Sequence, residues 1–405
     1  MGMGGVYVGL ATIFLGIPSL VLLRIAEGIF QPELFSKFLS QWATLNTAVL
    51  ILVVPLMSYT AHCRKLFIPK FGNQDSFECF YRAFALQICA FPIMLIQVFL
   101  WIIGNNTLTI SSATSTTLYA VCFLLFNVEG SLQMSRNDFG AYLKNSLIFA
   151  ALSVSILLGI SRIKLTSTDH VFYIFALCYV VPLVAQKKLT NLKFESKRSS
   201  AFGTVLRSGD SYQAIRHLAF VNAISLLLLN GPVIFGKYID AQLTDLATFS
   251  ALINLVLVLA TGLNTFIPVI QNSMVQSSSH TKRQIFKQAT FIYTLLVLVL
   301  AVLFAGVLDE IAMYYLRSAQ HTNSFINGLF IVGFCASTMV GLTRIMLTIA
   351  QRFWAMTFIW ASGVAVFAVL IILISDPLYA MLSAPSVAFI WIFGLGTLYV
   401  LHKDS

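Results

Sequence analysis

The chain has 405 residues, of which 58% are apolar and only 10% charged, with a formal net charge of +10. A soluble domain is about 45–50% apolar and about 25% charged, so this composition, with a mean hydropathy of +0.87, excludes a soluble enzyme, a disordered chain and a nucleic-acid binder. The expectation is an all-α integral membrane protein, because the apolar runs last about 20 residues, enough to cross roughly 30 Å of hydrocarbon, and do not alternate over about 10 as barrel strands do.

Twelve spans are expected, over about 3–23, 38–58, 82–103, 110–130, 141–160, 170–186, 216–238, 246–268, 288–307, 325–349, 353–374 and 378–400. The first begins almost at Met1 without a basic leader and reads as a retained helix rather than a signal peptide. With the N-terminus inside, 19 of the 25 basic residues fall on one side, leaving Arg24, Lys37, Arg162, Lys164, Lys237 and Arg317 on the other. This follows the positive-inside bias, explains the net charge without nucleic acid and places both termini in the cytoplasm. The longest basic stretch, 187–215, reads as a cytoplasmic linker between two six-helix bundles, 1–186 and 216–405. Its charge suits a solvated tether near anionic lipid.

The halves resemble each other. Pro18 and Arg24 correspond to Pro232 and Lys237, Pro55 to Pro268, and Arg136 to Arg352, at offsets of 213–216. Six spans per half would make this a parallel repeat about an axis along the membrane normal, and such repeats enclose a path at their interface. Prolines removing backbone hydrogen bonds at matching places (Pro18, Pro55, Pro232 and Pro268) read either as packing kinks or as symmetric hinges for alternating access.

Enzyme chemistry has little to stand on. The longest outer loops, 161–169 and 308–324, are short. Asp309 and Glu310 are the one carboxylate pair there, and helix-boundary charge explains them. The six histidines are scattered, there is no CxxC and no GxxxxGK[ST], so neither a metal, a cofactor nor nucleotide hydrolysis is expected. The informative residues are charges in or near the bilayer, where burial is costly. Arg24 and Lys237, at the expected outer ends of the first helix of each half, read as snorkelling cations or as a cavity pair for an anionic headgroup. Glu129 and Arg344 lie seven and eight residues before Arg136 and Arg352, at matching depth. They read as a gate pair across the halves or as independent boundary charges.

These stretches resemble a known family. LRIAEGIFQPELFSKF, through Arg24, is similar to the opening of polysaccharide transporter flippases, and NGPVIFGKYIDAQLTDLATFSALINL, from Asn230, to their passage between helices seven and eight. LQMSRNDFGAYL and TIAQRFWAM look like the ends of their helices four and ten. The chain departs from that pattern at helix one, which lacks its usual basic lead, and at Pro232, where many members carry an acidic residue. The resemblance implies membership of the multidrug/oligosaccharidyl-lipid/polysaccharide flippase superfamily and two six-helix bundles forming a V. It implies flipping of a polyprenyl-diphosphate-linked oligosaccharide for surface polysaccharide synthesis in a bacterial inner membrane, alongside membrane lipids and polysaccharide polymerase machinery. Arg24 and Lys237 are the residues it places on the diphosphate. Two alternatives remain open: a cation-coupled multidrug-type exporter, whose relatives commonly use intramembrane carboxylates in the first bundle, and a membrane glycan polymerase or ligase. Here Glu129 is the one deep carboxylate in the first half, which disfavours the exporter. A membrane scaffold is a third class.

Overall fold

The computed structural model describes residues 3–47, 49–50, 77–78, 81–82, 85, 110–136, 138–163, 165, 167–185, 210–234, 236–264, 270, 274 and 278–403. Among the described residues every regular element is helical. In chain order they are α1 (Met3–Ile29), α2 (residues 32–47), α3 (Ile110–Ser135), α4 (Phe139–Ile160), α5 (Asp169–Ala185) and α6 (Asp210–Ile234). A 3-10 turn, Gly236–Ile239, precedes α7 (Leu243–Asn264), α8 (Ser279–Phe304) and α9 (Leu308–Tyr315). The last three are α10 (Ser324–Ile349), α11 (Phe353–Leu373) and α12 (Pro377–Lys403). Eight of these helices are long and apolar enough to cross a membrane, and two more, Asp169–Val184 and Leu243–Val256, are shorter apolar helices. The last residues of the expected second span and most of the third lie outside the described residues.

Two compact units emerge, Leu10–Ala223 on one hand and Met1–Gly9 with Ile224–Ser405 on the other. The boundary falls inside α6, whose first residues, 210–215, are the end of the basic stretch 187–215; the rest of that stretch lies outside the described residues. In the first unit α5 packs on α3 and α4. Its core is aromatic: Tyr119, Phe149, Phe172 and Phe175 are almost wholly buried, and Tyr179 stacks on Phe149 with ring centroids 4.3 Å apart.

In the second unit α10 is central, packed against α12, α8, α7 and α11. Small residues allow this. A Cβ at Gly333 would overlap the backbone of Ser386, and one at Gly363 would meet Ile392. At Gly396 the added carbon would run into Thr343. Close approach through glycine is the usual means of helix association where solvent gives no hydrophobic drive.

Local chemistry sets the helix ends. Pro32 opens α2 at the position where a missing N–H is harmless. Asp138, Ser278 and Asn323 cap α4, α8 and α10, each side chain accepting from a backbone N–H of the first turn. Asp245 does the reverse at α7, accepting from Gln242 N at 2.8 Å, the returning half of a capping box. Its other oxygen accepts from Gln320 Nε2 at 2.8 Å, so the segment after α9 is tied to the start of α7. The expected loop over 308–324 contains the helix α9, whose Asp309 accepts from the Glu310 amide and pairs with His321 at 3.1 Å.

Several helix ends differ from expectation: α3 continues past 130 to Ser135, and α6 and α8 begin at Asp210 and Ser279, ahead of 216 and 288. The first span, expected to stop near residue 23, continues to Ile29, because nothing after Arg24 breaks the helix before Phe30. The seventh, expected to reach 238, stops at Ile234, two residues after Pro232, and tightens into the 3-10 turn. Gly236 lets that turn fold back, since a Cβ there would sit 2.6 Å from Leu246 Cδ2.

The glycine contacts give a direct test. Gly333→Ala is expected to destabilise the protein by about 1–3 kcal/mol through overpacking. Gly16→Ala, with nothing within 4 Å of the added carbon, is expected to be neutral or stabilising by up to about 1 kcal/mol. Thermal unfolding of the detergent-solubilised variants separates the two.

Candidate functional site

The first unit holds a chain of buried charges. Residues 77–78, 81–82 and 85 are helical, and Phe77, Tyr81 and Ala85, at i, i+4 and i+8, are fully buried. Glu78 and Arg82 lie one residue on, again four apart, so both project from neighbouring positions of one face. Arg82 reaches Glu129 of α3, donating from Nε at 3.0 Å and Nη2 at 2.7 Å to the same oxygen. The Nη2 group also donates to Glu78 at 3.2 Å, and Arg136, just past the end of α3, pairs with Glu78. The order is Glu129, Arg82, Glu78, Arg136, with formal charges that cancel.

Burial is deep for such a group: the side chains of Glu129 and Glu78 are 2% and 6% exposed and that of Arg82 13%. An isolated charge at such sites would be prohibitive, and pairing is what makes it tolerable. At 1.5 Å per residue Glu129 lies about 9 Å inside the end of α3 at Ser135. The surrounding helix surfaces are polar too. Gln133, one turn beyond Glu129 and fully buried, accepts from Asn145 Nδ2 of α4 at 3.2 Å. Tyr142 of α4 lies over Gly130, where a Cβ would come within 2.8 Å of its ring.

Further along α3 the wall turns aromatic. Tyr119 donates from its hydroxyl to Asn46 Oδ1 of α2 at 2.8 Å, and Trp42 packs between Tyr119, Phe172 and Phe175. Trp42, Asn46, Phe123 and Asn127 are half-buried. Asn46 and Asn127 each donate to the carbonyl four residues earlier, at 3.0 and 2.8 Å. The first unit thus offers polar and aromatic groups side by side.

The residues singled out from the sequence are placed as follows. Arg24 is inside α1, five residues before its end, and pairs with Glu27 at 2.8 Å while its side chain stays 37% exposed. Lys237 lies in the 3-10 turn beyond α6, so the two do not occupy corresponding helix ends. Glu129 is held by Arg82 of its own unit, and Arg344 belongs to the other unit. Pro18 is within α1 and Pro232 within the last turn of α6. Pro55 and Pro268 lie outside the described residues. Sequence reasoning missed Glu78 and Arg82 as partners. Their signal was present as Glu-x-x-x-Arg, a helical i, i+4 ion pair, but it sits at the start of a span, where a charge is ordinarily taken as a boundary marker. Among the described residues no group of three histidine, cysteine or carboxylate side chains could hold a metal.

No protein-family model matches the chain, and no curated protein matches it. Solved structures do. A MATE transporter in complex with MaD3S superimposes with a TM-score of 0.65 at 12% identity, covering 99% of this chain and 97% of that one. A multidrug resistance MATE family transporter of the MOP superfamily is similar in its inward-facing conformation, with a TM-score of 0.62, 12% identity and coverage of 97% and 98%. Its outward-facing conformation gives 0.64, 12%, 99% and 96%. The chain therefore has the all-helical fold of these transporters over nearly its whole length. This matches the superfamily-level fold that the sequence resemblance implied.

Removing one member of the charge chain is expected to be severe. Arg82→Gln leaves two buried carboxylates short of a partner, at a cost of about 3–5 kcal/mol. The double variant Arg82→Gln, Glu129→Gln is expected to recover a substantial part of that loss. Detergent thermal melts of the four proteins of the cycle give the coupling, and additive losses would disprove it.

Proposed function

We propose that the chain is a cation-coupled exporter of small amphiphilic molecules that works by alternating access. The observation carrying this reading is the buried pair Glu78 and Glu129, joined through Arg82 inside the first unit of a MATE-like fold. A lone deep carboxylate counted against an exporter; two, sharing one guanidinium, reverse that balance. Solved neighbours of this fold include a multidrug resistance transporter in inward-facing and outward-facing conformations, which is the cycle this reading assigns to the chain.

The chemistry follows from charge balance. A proton delivered to Glu129 removes its attraction for Arg82 and leaves the four-group chain with an excess positive charge. That excess is costly away from water. The favoured response loosens the hold of residues 77–85 on α3, or ejects the proton on the other side. A cation at this site therefore has differential affinity for two arrangements, which is what coupling requires. Trp42, Tyr119 and Phe123 supply aromatic surface for an apolar cargo body. The positive-inside count supports a multi-pass membrane protein with both termini inside.

A second reading, flipping of polyprenyl-diphosphate-linked oligosaccharide, keeps one supporting observation: the Arg24 side chain is still 37% exposed. Its pairing with Glu27 at 2.8 Å weakens it as a diphosphate anchor.

Reconstituted in liposomes with fluorescent amphiphiles of both charge signs, the protein is expected to show efflux that follows an imposed proton or sodium gradient. Glu129→Gln is expected to lower that rate at least tenfold, with Glu129→Asp in between. Efflux indifferent to the gradient would rule out coupling. Inner-leaflet accumulation of lipid-linked oligosaccharide in deletion cells, with no amphiphile efflux, would favour the second reading.

A further inference from the structure

The accessible part of a membrane helix reveals what it faces. On α8 the large exposed side chains past residue 290 are apolar, Phe291, Ile292, Leu295, Leu298, Val299 and Val302 among them, as a lipid-facing helix requires. The same holds for Phe358, Val369 and Ile372 on α11. On α10 the pattern inverts. Between Gly333 and Thr348 every residue is buried except Ser337, Gly341, Arg344 and Thr348. Their spacing of four, three and four places them on one narrow stripe. No large apolar side chain lies on it. A half-buried stripe that carries an arginine and two hydroxyls suits a polar cavity within the membrane, not lipid tails.

Arg344 has no ion-pair partner among the described residues. The reason lies in how the second unit distributes its charge. Its described carboxylates, Asp240, Asp245, Asp309, Glu310 and Asp376, all sit where α7, α10 and α12 begin and where α8 and α11 end. Arg344 is twenty residues along α10 from Ser324, about 30 Å from that end. Its own end carries Lys282, Arg283, Lys287, Arg352 and His402 instead. The hydroxyls of the stripe spend their one proton inside the helix and do not compete for an anion. Ser337 donates to the Phe334 carbonyl, and Thr348 donates to the Arg344 carbonyl at 2.7 Å. The five N–H donors of Arg344 are therefore the donor set of the stripe, in a fork geometry suited to one oxyanion.

We propose that Arg344 is an oxyanion-binding site and that the cargo is an amphiphile carrying a phosphate or carboxylate group. This rests on the transport reading above and names its substrate class. The anion supplies the charge that the second unit lacks, and the guanidinium repays the anion's desolvation by bidentate pairing. Glu129, already held by Arg82, is not needed as the counterion.

The test is equilibrium binding to the full detergent-purified chain, with no gradient applied. The probes are a fluorescent alkyl phosphate and an alkyltrimethylammonium of the same tail. The phosphate is expected to bind more tightly, and Arg344→Gln to weaken it at least tenfold while leaving the ammonium probe unchanged. Arg344→Lys, which keeps the charge but loses the fork, is expected to fall between. Equal phosphate affinity in wild type and a folded Arg344→Gln overturns the proposal, as does tighter binding of the ammonium probe by the wild type. Should Arg344→Gln fail to fold, unchanged phosphate affinity in Arg344→Lys overturns it. Repeating the measurement in phosphatidylcholine nanodiscs with and without phosphatidylglycerol assigns the source. Competition by phosphatidylglycerol identifies a lipid headgroup at Arg344, and indifference to it identifies a free cargo; both support the oxyanion site. Arg344-dependent binding without gradient-driven efflux would overturn the exporter reading and leave this site standing.

Discussion

Arg82 is the residue on which the first unit's interior depends. Two carboxylates, each under a tenth exposed, lie within reach of its one guanidinium. It is the described cation that meets both, and burial without a paired charge is costly there because hydrocarbon and packed side chains offer no substitute for hydration. The bridge also decides geometry. It pins residues 78 and 82 to α3 at Glu129, and Arg136 repeats the tie through Glu78 from just past the helix end. Elsewhere on α3 buried polar groups are satisfied separately: Ser115 and Thr116 donate to the Ser112 carbonyl and Gln133 accepts from Asn145.

Much of the architecture was legible in the sequence because it follows from length and hydropathy alone. The spans at 110–130, 141–160, 170–186, 325–349, 353–374 and 378–400 each coincide with a helix, since a run of apolar residues bounded by charge admits no other solution in a bilayer. Ends were harder. Arg24 looked like a boundary, yet α1 runs on to Ile29 because its neighbour Glu27 lies one turn ahead and neutralises it. The reverse held at Pro232, where the helix ends sooner than the apolar run does. The site was less legible still. Glu129 stood out as a deep charge, but its partner was sought at a repeat-related position, and the actual counterion lies 47 residues earlier in the chain. Hydropathy records how far a charge is from the edge of a span. It does not record which helix packs beside it, and that choice is made by side-chain geometry.

The two units handle charge in opposite ways, and this difference organises the functional reading. The first neutralises its buried charges internally, acid against base, so that adding one proton disturbs a closed balance. The second keeps its described carboxylates at one end and leaves Arg344 on a polar stripe with no ion-pair partner among the described residues. A closed balance suits a site that must respond to a small cation, because the response is the breaking of a pair already formed. An open one suits a site that must accept a charged guest, because the pair forms only on arrival. A protein that exchanges an inward cation for an outward amphiphile needs both, and needs them apart, since a guest anion placed beside Arg82 would compete with the carboxylates that hold it. The glycine contacts at Gly333 and Gly396 bear on the same point. By bringing α12 close to α10 on one side, they leave the stripe of Ser337, Gly341, Arg344 and Thr348 as the less buried face of that helix, where an anion can meet a guanidinium that has no ion-pair partner among the described residues.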